Sequence, residues 1–257
     1  MLAYEVEGDG PPLLLVHGTM SSRGIWAPVR ERLARRRRLI LIDLPGMGDS
    51  AGIDGAHVPS AWIAAIGEVL DAVGAPRPAV MGLSMGGWTA LELAKAGRAA
   101  SVLALAPAGM WQTSPRAANV ILRRGRVMAR VFPPRLSARA LGSAGVRRLA
   151  LRDQSIDGGA VPAAWVIALS ADARRATGFR EHFRAARRDR FRGGGEIDVP
   201  VRVVFAEQDR IATPALGQLT DELPAHAVIE HWPSGHMLMW DATDRVIAAA
   251  LQLQTPA

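Results

Sequence analysis

The 257-residue sequence predicts an α/β fold, in which a mostly parallel twisted sheet has helices on both faces and a helical cap is inserted between two strands. Short apolar runs alternate with helix-like stretches, which is the pattern of βαβ units. The runs are continuously apolar, as expected for strands that are covered on both faces. The alternation is interrupted once, between Pro107 and Gly195.

The individual elements follow in chain order from these patterns. A first strand is predicted at residues 2–7, before a glycine- and proline-rich turn. The other predicted strands are 13–16, 39–43, 79–82, 101–105, 201–205 and 227–231. The predicted helices between and after them are 26–35, 60–73, 87–96 and 243–253.

The interruption divides the chain into two predicted regions. Residues 107–195 contain helix-like segments broken by prolines and glycines, among them Pro133, Pro134 and the triplet 193–195. Eighty-nine residues are too many for a loop inside a compact domain. We therefore predict a core formed by residues 1–106 and 196–257, with residues 107–195 as the helical cap.

The most informative motif is a serine flanked by glycines where a strand passes into a helix. Ser84 has Gly82 two residues before it and Gly86 two residues after it. A Gly-x-Ser-x-Gly pattern in this setting is typical of a nucleophile elbow, a sharp turn that exposes the serine hydroxyl above the sheet. Small residues are needed there because the strand and the helix would otherwise collide. Ser84 is therefore the candidate nucleophile.

A nucleophilic serine requires a general base, and His236 has the most suitable position of the six histidines. It lies in a glycine-containing loop after the last predicted strand, where it can reach the carboxyl edge of the sheet. Two other histidines lie at strand ends: His17, which is better placed to shape a loop, and His231, which stays a weaker candidate. The remaining three are His57 and His182, in a predicted polar loop or exposed helix, and His226, beside a strand.

The base requires an acid that orients it, and this acid is expected at the end of an intervening strand. Asp209 follows the predicted strand 201–205 and precedes His236 by 27 residues. Glu207 is a nearby rival, but it lies too close to the strand to reach freely. The loop after the preceding strand, residues 107–110, contains no carboxylate.

With these three residues in the order Ser84, Asp209, His236, the chain resembles the α/β-hydrolase superfamily over nearly its whole length. Residues 17–22 resemble the oxyanion loop of that family, and residues 43–50 resemble the loop after its next strand. The resemblance implies an oxyanion hole formed by the backbone N–H groups of Thr19 and Met85. It also implies an acyl-enzyme mechanism without a cofactor.

The substrate is predicted to be a largely apolar small molecule. Five residues near the carboxyl edge or under the cap would form an adaptable pocket, with core packing as the alternative for each: Met110, Trp111, Trp165, Met237 and Leu238. The predicted function is that of a serine hydrolase of an ester, thioester or lactone.

Two other functions stay open. Carbon–carbon hydrolases of the ring-cleavage type tend to carry Asn before the serine and Trp after the histidine, whereas this chain has Leu83 and Met237. Some members of the fold have lost catalysis and serve only in binding, although their triads are usually incomplete.

The net charge of +7 is unevenly distributed. Residues 107–195 contain 18 arginines and five acids, a net charge of +13, and the rest of the chain carries −6. A solvated surface is the simplest interpretation. The alternatives are steering of an acidic substrate or docking of an acidic carrier protein. Aromatic residues are not interleaved with the arginines as in a nucleic-acid site, so no nucleic-acid partner is expected.

Several other classes of protein are not indicated by the sequence. It has no cysteine, no metal-binding motif and no transmembrane-length apolar run, and its N-terminus lacks the pattern of a signal peptide. We expect no metal, no membrane partner and a cytoplasmic location.

Overall fold

The computed structural model describes residues 1–53, 58–113 and 116–255. Within these ranges the strands form one seven-stranded sheet, in which β1 runs antiparallel and the others are parallel. The strands are β1 (Tyr4–Glu7), β2 (Pro12–Val16), β3 (Arg38–Ile42), β4 (Ala79–Leu83), β5 (Ser101–Leu105), β6 (Val201–Ala206) and β7 (Val228–Trp232). Their spatial order is β1-β3-β2-β4-β5-β6-β7. The predicted fold class is thereby confirmed.

The helices lie on both faces of this sheet and in the segment between β5 and β6. They are α1 (Ala27–Ala34), α2 (Pro59–Ala72), α3 (Met85–Lys95), α4 (Arg116–Val131), α5 (Pro134–Leu141), α6 (Ala144–Leu151), α7 (Ala163–Arg175), α8 (Phe179–Ala186), α9 (Pro214–Gly217), α10 (Leu238–Asp241) and α11 (Thr243–Leu251). None of the helices in the described ranges combines the length and the apolar character needed to cross a membrane.

Alternate residues of the central strands belong to two apolar cores, one on each face of the sheet. Leu14 and Val80 pack into the core that contains residues of α2 and α3. Leu13 and Leu15 pack into the core that contains residues of α1 and α11. Both sets of side chains are fully buried, which explains why the strands are continuously apolar in sequence.

The parallel arrangement brings several loops to one edge of the sheet. Strands β2, β4, β6 and β7 all end at the same edge, and the residues that follow them there include His17, Ser84, Asp209 and His236. In open α/β sheets, ligands bind outside the carboxyl ends of the strands.

Residues 107–195 contain α4 to α8, and no strand occurs in the described part of this segment. The division into core and cap stays a prediction, and we refer to residues 107–195 as the insertion. One expectation within it is wrong. His182 of α8 was predicted on an exposed helix or loop, but it is fully buried, with its ring 4.6 Å from that of Trp62. His57 lies outside the described residues.

Candidate active site

Ser84 occupies a sharp turn between β4 and α3. Its φ of +54° and ψ of −115° lie in a region that residues other than glycine seldom adopt. The glycines around it are sterically required. A Cβ on Gly82 would lie 2.1 Å from the carbonyl oxygen of Gly86, and a Cβ on Gly86 would lie 2.0 Å from that of Val16. This close packing forces the turn and holds Ser84 in its strained conformation, a feature typical of functional sites.

The imidazole of His236 is hydrogen-bonded to Asp209. The distance from His236 Nδ1 to Asp209 Oδ2 is 2.7 Å, and both residues are buried. The other carboxylate oxygen of Asp209 accepts hydrogen bonds from the N–H groups of Ile211 (2.7 Å) and Ala212 (2.8 Å). An ionised carboxylate can only accept hydrogen bonds, so Nδ1 of His236 is the donor. In the neutral ring, Nε2 then has the lone pair that a general base needs.

The environment of Asp209 favours its ionised form. Burial alone would raise the pKa of this carboxyl group. The nearby imidazole of His236 and the hydrogen bonds from His236, Ile211 and Ala212 outweigh burial, and they hold the pKa of Asp209 below its ordinary value. By contrast, Glu207 is exposed and lies outside this arrangement.

The predicted oxyanion loop passes close to the serine. A Cβ on Gly18 would lie 3.2 Å from Ser84 Cβ and 3.8 Å from its Oγ. Thr19 follows Gly18, and Met85 is the first residue of α3. The first N–H groups of a helix have no acceptor within that helix, so the Met85 N–H is available to a ligand. The backbone around Ser84 therefore has the arrangement in which an oxyanion hole is expected.

His17 is fully buried and its ring is hydrogen-bonded to two neighbouring loops. Its Nε2 accepts a hydrogen bond from the Leu44 N–H at 2.9 Å, so its Nδ1 carries the proton and donates to the Gly18 carbonyl oxygen at 2.7 Å. Complete burial lowers the pKa of His17 and keeps the ring neutral, although the carboxylate of Asp43 opposes this effect. The neutral ring connects the loop after β2 to the loop after β3.

The insertion contacts two loops of the candidate site. Asp172 of α7 accepts a 2.6 Å hydrogen bond from the hydroxyl of Ser22, the last residue of the predicted oxyanion loop, and both residues are buried. On the other side, the Met237 N–H donates to the carbonyl oxygen of Gln154 at 2.8 Å. Asp241 fixes the same region, because its carboxylate accepts from the Gly235 N–H and from the Ser155 hydroxyl. The loop of His236 is thus held in part by the insertion.

A cavity of about 440 Å³ has Ser84 and His236 in its wall. Thr19 and Met237 also line it, and most of the remaining wall consists of apolar residues of α4, α5, α6 and α7. This volume falls within the range of small-molecule sites in proteins. No group of three or more His, Asp or Glu side chains that could hold a metal ion occurs among the residues with described positions.

Four of the five predicted substrate-binding residues do not line this cavity. Only Met237 does. Met110 and Trp111 pack in the core near α3, where the Trp111 indole lies edge-on to that of Trp88 with a centroid distance of 6.3 Å. Trp165 packs against Trp240 at 4.9 Å, in the core on the opposite face of the sheet.

Leu238, the fourth of these residues, is fully buried in the same core as Trp165. The prediction erred because an apolar residue near the carboxyl edge can point into the core as readily as into the cavity. The residues that do form the wall, such as Leu122, Leu141 and Leu169, had no distinctive sequence signal beyond helical periodicity in the insertion.

Known proteins resemble this chain in sequence and in fold. The model of the alpha/beta hydrolase family matches residues 13–249. Pimeloyl-acyl-carrier-protein methyl ester esterase from Aeromonas salmonicida is 36% identical over 93 residues, or 36% of this chain and 35% of that protein. A protein provisionally named carbamate hydrolase RutD, from Azorhizobium caulinodans, is 38% identical over 95 residues, or 37% of this chain and 36% of the relative.

These alignments span about a third of the length of the curated relatives. Among solved structures, the enol-lactonase from Burkholderia xenovorans LB400 superposes with a TM-score of 0.76. The superposition covers 97% of this chain and 95% of that one at 21% identity, which shows that the two share a fold.

Proposed function

The chain belongs to the alpha/beta hydrolase family, and from that premise we propose that it is a serine hydrolase that cleaves an ester, thioester or lactone of a largely apolar small molecule. The observation that carries the proposal is the 2.7 Å hydrogen bond between Asp209 and His236 in an active-site region where Ser84 is held on a strained turn. A nucleophile, a base and an acid that orients the base are the three parts of an acyl-transfer mechanism.

In the proposed mechanism, Ser84 Oγ attacks the carbonyl carbon while His236 Nε2 accepts the hydroxyl proton. The N–H groups of Thr19 and Met85 stabilise the resulting oxyanion. His236 then returns the proton to the leaving group, and the acyl group remains on Ser84 as an ester. A water molecule, deprotonated by His236, attacks this ester, which releases the acid and regenerates the serine.

The apolar cavity wall supports an acyl chain as the part of the substrate that is bound. Burial of each methylene group contributes about 0.8 kcal/mol, so kcat/KM for p-nitrophenyl esters should rise up to about fourfold per added methylene. The rise should end when the chain fills the cavity. A series of straight-chain esters tests this expectation, and efficiency that does not change with chain length would contradict it.

A fluorophosphonate probe tests the nucleophile directly. It should label Ser84 in the folded protein, which mass spectrometry of the peptides can locate, and Ser84→Ala should abolish both labelling and ester turnover. Labelling and turnover, together with an assay of a carbon–carbon substrate, separate the two alternative functions. Absence of both labelling and turnover would favour a purely binding member of the fold. Cleavage of a ring-cleavage-type vinylogous diketone, with no turnover of any ester, would favour a carbon–carbon hydrolase.

A further inference from the structure

The cavity opens onto an exposed apolar surface of the insertion. Five side chains both line the cavity and are exposed: Met128, Phe132, Leu136, Val146 and Leu149. Three further exposed valines of α4, Val120, Val127 and Val131, are 56–68% accessible. A group of exposed apolar side chains marks an interaction site more often than a single exposed leucine does. We refer to these eight residues as the rim.

Arginines flank the rim on α4 and α5. Helical spacing brings Val120, Val127 and Val131 to one face of α4, with Arg123 and Arg130 on one side of that stripe and Arg124 on the other. Arg135 and Arg139 are exposed on α5. None of these five arginines forms an ion pair with any residue in the described ranges.

Several arginines of the core are neutralised within the chain. Arg23, Arg30 and Arg98 form ion pairs with carboxylates of the chain itself. Positive charge therefore goes uncompensated around the rim, in a segment with a net charge of +13, while the rest of the chain carries −6. Because of this asymmetry, a negatively charged partner attracts the rim and repels the core.

We propose that the rim docks on an anionic lipid surface, from which an acyl chain enters the cavity. An amphipathic helix lies in a membrane interface when its apolar side chains enter the acyl region and its arginines meet the phosphates. The rim and its flanking arginines have this arrangement. A second copy of the chain fits less well, because a symmetric contact would bring arginines against arginines.

An acidic carrier protein would explain the five exposed arginines that flank the rim, but not the eight exposed apolar side chains of the rim itself. The expectation that there is no membrane partner rested on the search for a spanning segment. A helix that lies in the interface does not need one. The inference rests on the proposed function only for the fate of the acyl chain, because docking itself requires no turnover.

Flotation with vesicles of phosphatidylglycerol mixed with phosphatidylcholine tests docking. The wild-type protein should float with these vesicles at low salt and bind pure phosphatidylcholine much more weakly. Binding should weaken as salt rises from about 0.1 M to about 1 M, because the Debye length falls from about 10 Å to about 3 Å. Absence of flotation with the anionic vesicles at low salt would overturn the proposal.

Two double variants separate the charged and the apolar parts of the surface. Arg123→Gln with Arg130→Gln should weaken vesicle binding roughly 25-fold, because each arginine near an anionic surface contributes roughly fivefold. Val127→Gln with Val131→Gln should weaken it at least roughly tenfold. None of these four residues lines the cavity, so hydrolysis of a short water-soluble ester should stay unchanged.

Matched controls use exposed residues of the core. Arg36→Gln with Arg77→Gln makes the same change in net charge, and Leu216→Gln with Val228→Gln removes exposed apolar side chains. Both should bind vesicles like the wild type. Equal weakening in rim and core variants would reduce the effect to overall charge or polarity and would overturn the proposal.

A further arm tests the rival partner. An acidic acyl carrier protein is titrated against the wild type and the two rim variants. The proposal is overturned in favour of a carrier if this protein binds saturably, if its binding depends on Arg123 and Arg130 but not on Val127 and Val131, and if vesicles do not bind. Vesicle binding by a protein that hydrolyses no ester would leave docking intact and refute the proposed function instead.

Discussion

Replacing Asp209 with Asn should leave the site assembled but hold its base in the wrong tautomer. In the wild type, one oxygen of Asp209 accepts from two backbone N–H groups, of Ile211 and Ala212, and the other accepts from His236 Nδ1. The Asn oxygen can replace only one of these. If it faced His236, the Asn amide would oppose the two buried N–H groups, and each unsatisfied donor costs about 1–3 kcal/mol.

The Asn oxygen will therefore stay with the two backbone groups, and the NH₂ group will face His236 Nδ1. The imidazole must then accept at Nδ1 and carry its proton on Nε2, where it cannot take the proton of Ser84. In a triad of this type such a change lowers kcat by about 10⁴, which corresponds to about 5.5 kcal/mol of transition-state stabilisation.

The assay is the steady-state hydrolysis of a p-nitrophenyl ester by Asp209→Asn, with Glu207→Gln as the matched control. The control carboxylate is two residues away and exposed, so its loss should change kcat less than about threefold. Activity of Asp209→Asn within about tenfold of the wild type would refute the tautomer argument. A larger loss in Glu207→Gln than in Asp209→Asn would mean that the acid has been misassigned.

The same variant has a predicted pH signature in stability. The pKa of Asp209 is lowered in the folded state, so its carboxylate adds stability that is fully present above the ordinary pKa and lost as pH falls through the folded value. The difference in unfolding free energy between wild type and Asp209→Asn should therefore narrow below about pH 4. Denaturant titrations at several pH values measure it, and a difference that does not change with pH would contradict the lowered pKa.

Three further perturbations test the supporting structure. Gly86→Ala should lower the unfolding free energy, measured by urea titration, by about 1–3 kcal/mol, because the new Cβ would lie 2.0 Å from the Val16 carbonyl oxygen. Gly52→Ala is the control, because a Cβ there meets nothing within 4 Å and should leave stability unchanged. Equal effects of the two variants would refute this reasoning. Asp172→Ala should lower kcat roughly tenfold at unchanged KM, because Ser22 loses a charge-assisted hydrogen bond that holds the loop of residues 17–22 in place. A lower melting temperature with unchanged kcat would contradict this positioning role. Between about pH 6 and pH 5 the unfolded state gains a proton on His17 while the buried ring of the folded state stays neutral, so the wild type loses up to about 1.4 kcal/mol of unfolding free energy per pH unit. In His17→Gln this loss should be absent. Parallel curves of unfolding free energy against pH for the two proteins would mean that His17 titrates alike in both states.

The sheet and the central residues were accessible from sequence because their signals are local. The predicted strands agree with the observed ones to within two residues at each end. The glycines around Ser84 report a steric requirement that arises within five residues, and a parallel sheet then brings the ends of its strands together at one edge. Asp209 and His236 could be selected from their positions in loops after strands, His236 with the help of the glycine before it.

The wall of the cavity was less accessible, because it depends on how helices of the insertion pack. Trp111 and Trp165 were predicted to face the substrate, and both face the cores. Sequence periodicity indicates which side of a helix is apolar, but not whether a core or a cavity lies opposite it. On α4 the ambiguity is greatest, since Val127 is apolar and exposed while Arg126 is charged and buried.

The hydrogen bond from Met237 to Gln154 has a consequence for how this enzyme family member can be recombined with others. A chimera with crossovers at residues 107 and 195 would exchange the partner of the loop that carries His236, together with Ser155, which binds Asp241. An exchange limited to α4 and α5 would retain these bonds. The insertion is thus not one interchangeable module. Its first two helices could be exchanged without loss of these bonds, whereas residues 154–155 would have to be kept together with the loop of His236.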